Sequence, residues 1–295
     1  MEERSKREIR TSVKVVAAYG EFNVNANIRE IRKGCDILCA TTGRLLHFLE
    51  SGVIHLDKLK YLILDEADKL LMDKFYDDIV LLTKSKSISK NKHTYMFSAT
   101  FNQDVQQMAR QFLKPSYFFV NIGVLNSAAK GVMQKFIKVS RFEKQSLLQE
   151  ILRNNSQERQ NQNGEIIREV PKTIIFVEQK RQSDRIAIML SLEKIKSMSL
   201  NGDRNQQQRQ EALNNFVKGD IHVLVATNVA ARGLNIRGVK HVINYDLPKD
   251  RENYIHRIGR TGRVGWTGRS TSFFDPDNID DCRLAPELVE VIFER

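Results

Sequence analysis

Residues 61–68 read Tyr-Leu-Ile-Leu-Asp-Glu-Ala-Asp. A short apolar run, Tyr61, Leu62, Ile63 and Leu64, stops abruptly at carboxylates. Four such residues bounded by charge read as a buried strand, and Asp65 and Glu66 then stand at its C-terminal tip. In open α/β sheets that tip is where ligands bind. An acidic residue there suits Mg²⁺ held through water, and Mg²⁺ bridges nucleotide phosphates. The adjacent Glu66 is placed to orient or deprotonate an attacking water. The same letters also read as an acidic helix start capped by Asp65, and the octapeptide alone does not choose between the two.

Working outward, short β-branched runs recur at residues 13–18, 36–40, 94–97, 117–122, 173–177, 222–226 and 239–244. Between them, residues 75–83 and 104–113 carry helical spacing. Strand alternating with helix implies parallel sheets covered on both faces. With 295 residues the chain suits two such α/β lobes rather than one small core. Two polar stretches interrupt the pattern. Residues 84–92 (KSKSISKNK) read as a surface loop, and residues 153–168 (RNNSQERQNQNGEIIR) as a flexible loop inside the second lobe. A linker is expected near residues 123–133.

The formal charge of +11 favours a polyanionic partner, most simply nucleic acid. A solvated basic surface is the plainer alternative. Three cysteines, Cys35, Cys39 and Cys282, are too few and too unpaired for a disulfide framework, and Cys35 and Cys39, with no matching Cys/His pair after them, read as buried thiols. The first ten residues, MEERSKREIR, are too charged for a signal peptide or anchor, and no apolar run reaches membrane-spanning length. None of the six histidines falls in zinc-protease spacing.

Three further stretches carry chemistry. Ser98-Ala99-Thr100 follows an apolar strand, where hydroxyls can bond to carboxylates of a neighbouring strand tip or simply cap a helix. Residues 256–263, HRIGRTGR, interleave arginines with glycines. Guanidinium groups match phosphate oxygens two at a time, and such arginines facing a γ-phosphate stabilise transition-state charge. Residues 223–236, VLVATNVAARGLNI, run from a buried strand through Thr227 and Asn228 into a small-residue helix start, offering N–H groups and a hydroxyl to phosphates.

In this order, Asp65-Glu66-Ala67-Asp68, Ser98-Ala99-Thr100, ARGLNI and HRIGRTGR together resemble the DEAD-box family of ATP-dependent RNA helicases. HVINYDLP, HRIGRTGRVG and SFFDP resemble the Vasa branch and its cytoplasmic relatives. The resemblance implies two RecA-like lobes: an incomplete first lobe at 1–123, a linker at 124–132 and a second lobe at 133–295. ATP with Mg²⁺ would sit between the lobes, and single-stranded or duplex RNA would be gripped through its backbone and locally unwound. By matching motif positions, Asp65 and Glu66 would serve the metal and the attacking water. Asp68, Ser98, Thr100 and His256 would couple hydrolysis to RNA separation. Arg260 and Arg263 would be fingers on the nucleotide, with Asn235 at its ribose. Gly20, Thr41, Gly43, Arg44, Gly202, Arg209, Thr227 and Gly233 would line the RNA path. A monomer is expected, in the cytoplasm or in ribonucleoprotein granules, with the nucleus as an alternative.

The chain also departs from the family pattern. No Gly-Lys-Ser/Thr occurs in it; the resemblance would place that phosphate loop before Val13. That loop supplies backbone N–H groups, a Lys and a metal-binding hydroxyl, so most catalysis should go with it. The strand bearing it belongs inside the first sheet, so a first lobe lacking it should expose strand edges and be poorly stable. Glu21, Thr42, Asn201, Asn228 and Asn235 stand where the family commonly has Gly, Pro, His, Asp and Asp. The alternative function is an RNA-binding or scaffold paralogue without catalysis. A DNA helicase ranks below both.

Overall fold

The computed structural model describes residues 13–20, 23–72, 75–85, 87–122, 131–160, 166–228, 236–262 and 267–293. The chain divides into two compact units. One holds the described residues up to Phe97 together with Asp104–Ser116; the other holds Ser98–Gln103 and the residues from Tyr117 onward.

The second unit is built on a six-stranded sheet in the order β5-β12-β11-β8-β10-β9. Its strands are β5 (Val132–Lys138), β8 (Thr173–Val177), β9 (Ser197–Leu200), β10 (Val223–Thr227), β11 (His241–Asn244) and β12 (Gly268–Phe274), all paired in parallel. The central strands β8 and β10 are buried at every position. Their alternation explains why. Ile175, Val177 and Val225 pack on one side against α6 (Lys144–Asn154) and α7 (Lys180–Leu192), through Leu148, Leu152, Ile186 and Leu190. Ile174, Phe176 and Leu224 pack on the other side against Ala212 and Phe216 of α8 (Gln206–Lys218). A third cluster joins Val132 to α9 (Arg251–Ile258) and α10 (Ile279–Phe293). Helix α8 is fixed at both ends, by an Asn205–Gln208 capping box and by Gly219 in the left-handed region at φ 93°.

The first unit is thinner. β1 (Val15–Ala18) pairs in parallel with β2 (Ile37–Ala40), and β3 (Tyr61–Leu64) with β4 (His93–Met96), as two separate two-stranded ladders. Helices α1 (Val24–Arg32), α2 (Thr42–Glu50), α3 (Ala67–Met72), α4 (Tyr76–Lys84) and α5 (Gln103–Ala109) accompany them. At least one side chain in two along each ladder stays in solvent, including Val15, Ile37, Tyr61, Ile63 and Tyr95.

Several expectations fail here for physical reasons. Residues 117–122 form no strand: among the described residues no strand pairs with them in a ladder, and Phe118 and Ile122 are 95% and 93% exposed. The polar stretch at 153–168 is not a featureless loop. It contains the end of α6 and an antiparallel hairpin, β6 (Gln157–Gln160) with β7 (Ile166–Glu169), braced by Arg159–Glu169 and Arg168–Glu158 ion pairs. Cys39 is exposed rather than buried, and Cys35 is half-buried. Of the expected linker, residues 124–130 lie outside the described residues, and Val132 already opens β5.

One buried histidine gives the second unit a pH dependence. His241 is 1% exposed, with Nε2 2.9 Å from Thr271 Oγ1 and Nδ1 without a partner among the described residues. Burial, with help from the Arg269 charge, pushes its pKa from 6.5 down to about 3. The folded value lies below the unfolded one, so the stabilisation is full above pH 6.5 and is lost as pH falls from there toward 3. At pH 5 the loss is about 2 kcal/mol. Urea melts should show the midpoint falling between pH 7 and pH 5, and falling less in His241→Asn. An equal fall in both proteins would exclude His241 as the source.

Candidate nucleotide and RNA site

In the first unit the singled-out residues gather at C-terminal strand tips. Leu64 is buried, and the chain turns at Glu66, whose φ of 50° is left-handed for a residue that is not glycine. That conformation costs about 1–2 kcal/mol and is a mark of functional turns. It is held from both sides: Asp65 Oδ1 accepts the Glu66 N–H at 3.0 Å, and Ala67 N–H donates to Phe97 O at 3.0 Å. Asp65 is exposed and Asp68 buried. Two hard carboxylates at one turn fit Mg²⁺, which takes one or two protein oxygens and completes its shell with water and phosphate. No cluster of three metal-binding side chains exists among the described residues. Ser98 and Thr100, which group with the second unit, follow β4 in the sequence; Ser98 Oγ donates to Thr100 O at 2.7 Å, and Thr100 is buried.

Gly20 and Thr41 follow the ends of the paired strands β1 and β2, where Ala18 lies in register with Ala40. Thr41 N–H donates to Ala18 O at 3.0 Å, and Thr41 caps α2. Arg44 is steered by a donated bond to Asn27 Oδ1 at 3.3 Å, and buried Asn27 donates in turn to Ala17 O. A Cβ at Gly20 or Gly43 would meet nothing within 4 Å. These glycines are therefore not required by packing within the unit, and they leave backbone open to an approaching ligand.

The second unit repeats the plan. Gly202 follows β9, and Thr227 ends β10. Buried Asn201 organises the turn after β9: its Nδ2 donates to Ser183 Oγ at 2.8 Å and to both Asp184 oxygens at 3.2 Å, while its Oδ1 accepts Asp203 N–H at 3.0 Å. Burial works to raise the Asp184 pKa, but hydrogen bonds from Ser199, Arg204 and Asn201 outweigh it and hold it low. The asparagine thus gives one donor edge and one acceptor edge without a titrating group. Asn201→Ala should lower the unfolding free energy by about 1–2 kcal/mol, because the half-buried Asp184 carboxylate, the buried Ser183 hydroxyl and the Asp203 N–H each lose a partner. A urea melt unchanged from the parent would refute this. Arg209 is half-buried on α8.

Helix α9 begins at Asp250, whose side chain accepts Asn253 N–H at 2.7 Å, and ends in the arginine turn. Arg260 Nε donates to His256 O at 3.0 Å. Thr261 is buried and donates to Val239 O at 2.6 Å, and Gly262 turns at φ 66°. Below the turn lies Arg257, a residue given no role by sequence reasoning. It is 4% exposed and bonded to Asn228, Asn244 and Asp246 O. Buried Lys144 pairs with partly buried Asp246 at 3.2 Å. Gly233, Asn235 and Arg263 lie outside the described residues.

Comparison with known proteins agrees with this arrangement. A family model for DEAD/DEAH box helicases matches residues 1–108, and one for the helicase conserved C-terminal domain matches residues 143–265. The probable ATP-dependent RNA helicase DDX4 of Pelophylax lessonae is 45% identical over 96% of this chain and 37% of its own length. Human DDX4 is 44% identical over 98% of this chain and 38% of its own length. The ATP-dependent RNA helicase vasa of Drosophila melanogaster is 40% identical over 98% and 41%. The chain therefore spans well under half of these curated relatives. Among solved structures, Mss116p bound to ssRNA and AMP-PNP aligns with a TM-score of 0.78 at 27% identity, over 91% of this chain and 54% of that one. Dbp5 of S. cerevisiae bound to RNA and ADP BeF3 aligns at 0.75 and 22% identity, over 96% of this chain and 76% of that one, a likeness of fold. Two RecA-like α/β units with motif residues at their strand tips, and this degree of identity to DDX4 and vasa, establish that the chain belongs to the DEAD/DEAH box helicase family, on its Vasa side.

Proposed function

We propose that the chain is motor-core sequence of an ATP-dependent RNA helicase, which binds single-stranded RNA and opens short duplexes by hydrolysing ATP. The observation that carries the reading is the shared placement of Gly20, Thr41, Asp65, Glu66, Gly202 and Thr227 just beyond, or at, C-terminal ends of parallel strands. Asp65 and Glu66 supply oxygens for Mg²⁺ and for the attacking water. Arg260 supplies positive charge for the transferred phosphoryl group, with Arg263 and Asn235 assigned to the same nucleotide by motif position. Thr41, Gly43, Arg44, Gly202, Arg209, Thr227 and Gly233 are assigned to the RNA backbone, and Asp68, Ser98, Thr100 and His256 to coupling. The protein acts as a monomer in the cytoplasm in this reading.

Backbone recognition by cations makes binding salt-dependent and indifferent to base sequence. Fluorescence anisotropy with a labelled single-stranded RNA should give a linear fall of log affinity with log salt, and Arg44→Ala should reduce that slope by about one. Salt-independent binding would overturn the assignment. A second reading, RNA binding without catalysis, is favoured by neutral Asn228 and Asn235. RNA-stimulated ATP hydrolysis separates the two readings: its presence sustains the first and ends the second.

A further inference from the structure

Among the described residues of the arginine stretch Arg257 is the buried cation, and its surroundings are unusual. Nε donates to Asn228 Oδ1 at 2.5 Å. Nη1 donates to Asn244 Oδ1 at 3.3 Å and to Asp246 O at 2.6 Å. The guanidinium carbon lies 5.0 Å from the Phe176 ring centroid. Every acceptor is a neutral amide or carbonyl oxygen. The nearby Asp246 carboxylate is committed elsewhere, one oxygen to Lys144 Nζ at 3.2 Å and the other to Glu178 N–H at 3.0 Å. Asn244 is itself oriented, donating to Ser272 Oγ at 3.0 Å.

A buried guanidinium without a paired carboxylate is destabilising relative to an apolar side chain of similar volume. Burial pushes its pKa down to about 10, partly offset by Asp246, Asp250 and Glu178, so the group stays charged at neutral pH. What it provides is geometry. The planar fork fixes angles that an apolar side chain leaves free. It spans the strand tips of β10, β11 and β8 and joins them to α9. Asn228 directly follows Thr227, while His256 precedes Arg257 and Arg260 lies three residues after it.

We propose that Arg257 is a positioning residue that locks the tip of β10 to the arginine turn, so that Thr227 and Arg260 move as one body. The lock itself is a property of the second unit. Its meaning, that an RNA-facing residue is tied to a phosphate-facing one, rests on the function proposed above.

Hydrogen exchange read by mass spectrometry on the full chain tests it. Asn228→Ala removes one arm of the fork from a position 29 residues away from Arg257. It should speed exchange at least tenfold in peptides covering 254–262 while leaving β5 and α10 as in the parent. Arg257→Lys, which keeps the charge but not the fork, should loosen peptides covering 223–228 in the same way. Asn228→Asp keeps an acceptor and adds a counter-charge, so it should leave both segments at least as protected as in the parent. Acceleration confined to the mutated segment, or spread evenly over the whole sheet as in simple destabilisation, would overturn the proposal, as would loss of protection in Asn228→Asp. RNA affinity measured on the same proteins should fall tenfold or more in Arg257→Lys and hold in Asn228→Asp. A parent chain that binds no RNA would sink the functional reading, and the exchange pattern would still decide the lock.

Discussion

Brief proteolysis of the chain is expected to degrade the first unit and to leave a resistant fragment running from near Val132 to Phe293. The reason is the unequal burial of two sheets of the same kind. Parallel ladders persist where both faces are covered, and two-stranded ladders alone are marginal. In the second unit β8 and β10 are buried at every residue, and their two faces feed separate clusters of aliphatic side chains. In the first unit each ladder has four residue pairs, and Val15, Ile37, Tyr61, Ile63 and Phe97 are at least half exposed. Fully burying one such side chain is worth about 1.5–3 kcal/mol, so five left in water withhold enough to destabilise a small unit. Amides of β1 to β4 should therefore exchange at least about 10³-fold faster than those of β8 and β10, a difference of about 4 kcal/mol in opening free energy. Polypeptide that adds an apolar strand and helix to those open faces should erase the difference. Equal protection of both units in the chain as it stands would contradict this account.

Legibility in the sequence followed the same physics. TIIFV at β8 was readable because a continuous apolar run marks a strand buried on both sides. YLIL at β3 was readable as a strand by the same run, but the burial expected of it holds only in part, since Tyr61 and Ile63 stay in solvent. β12, GRSTSFF, was recognised only as part of a motif. Its buried Ser270, Thr271 and Ser272 look like loop residues until the partners His241 and Asn244 are known to face Thr271 and Ser272 from the neighbouring strand. β5, VMQKFIK, carries an alternation that local reading could have used, but its Gly- and Ser-rich lead-in drew the boundary past its start. Residues 117–122 failed in the opposite sense: β propensity was present, but a strand is a property of pairs, and the pair is missing among the described residues. At the site, Asp65, Glu66 and Arg260 could be proposed from sequence because each lies within a short local motif. Arg257 and Asn201 were not, because their roles lie in side chains 13 to 29 and 17 to 18 positions away.

Gly268→Ala should damage the second unit more than removal of the arginine it supports, although the glycine itself contacts no substrate. Gly268 opens β12, and its N–H donates to Gly131 O at 2.8 Å. A Cβ built there would lie 2.1 Å from Thr261 Oγ1, 2.5 Å from Gly262 N and 2.8 Å from Thr261 Cβ. Thr261 cannot yield easily, since it is 1% exposed and its hydroxyl is bonded to Val239 O. Gly262 cannot yield either, because it turns at φ 66° and its own Cβ position faces Val132 Cγ2 at 2.5 Å. Overpacking at such a point costs about 3 kcal/mol, which lowers the melting temperature of a domain this size by roughly 6–12 °C. The displaced segment is the arginine turn, so Arg260 leaves its place as well. Arg260→Ala removes only the half-buried guanidinium and should leave melting within about 1 °C of the parent. It should nevertheless abolish RNA-stimulated ATP hydrolysis in any form of the protein that shows it, by about 10³-fold or more, the usual worth of an arginine on a transferring phosphoryl group. Calorimetry and ATPase assays on the two variants therefore separate scaffold from chemistry. A melting temperature unchanged in Gly268→Ala would disprove the packing of the turn described here, and hydrolysis retained in Arg260→Ala would remove Arg260 from the catalytic set.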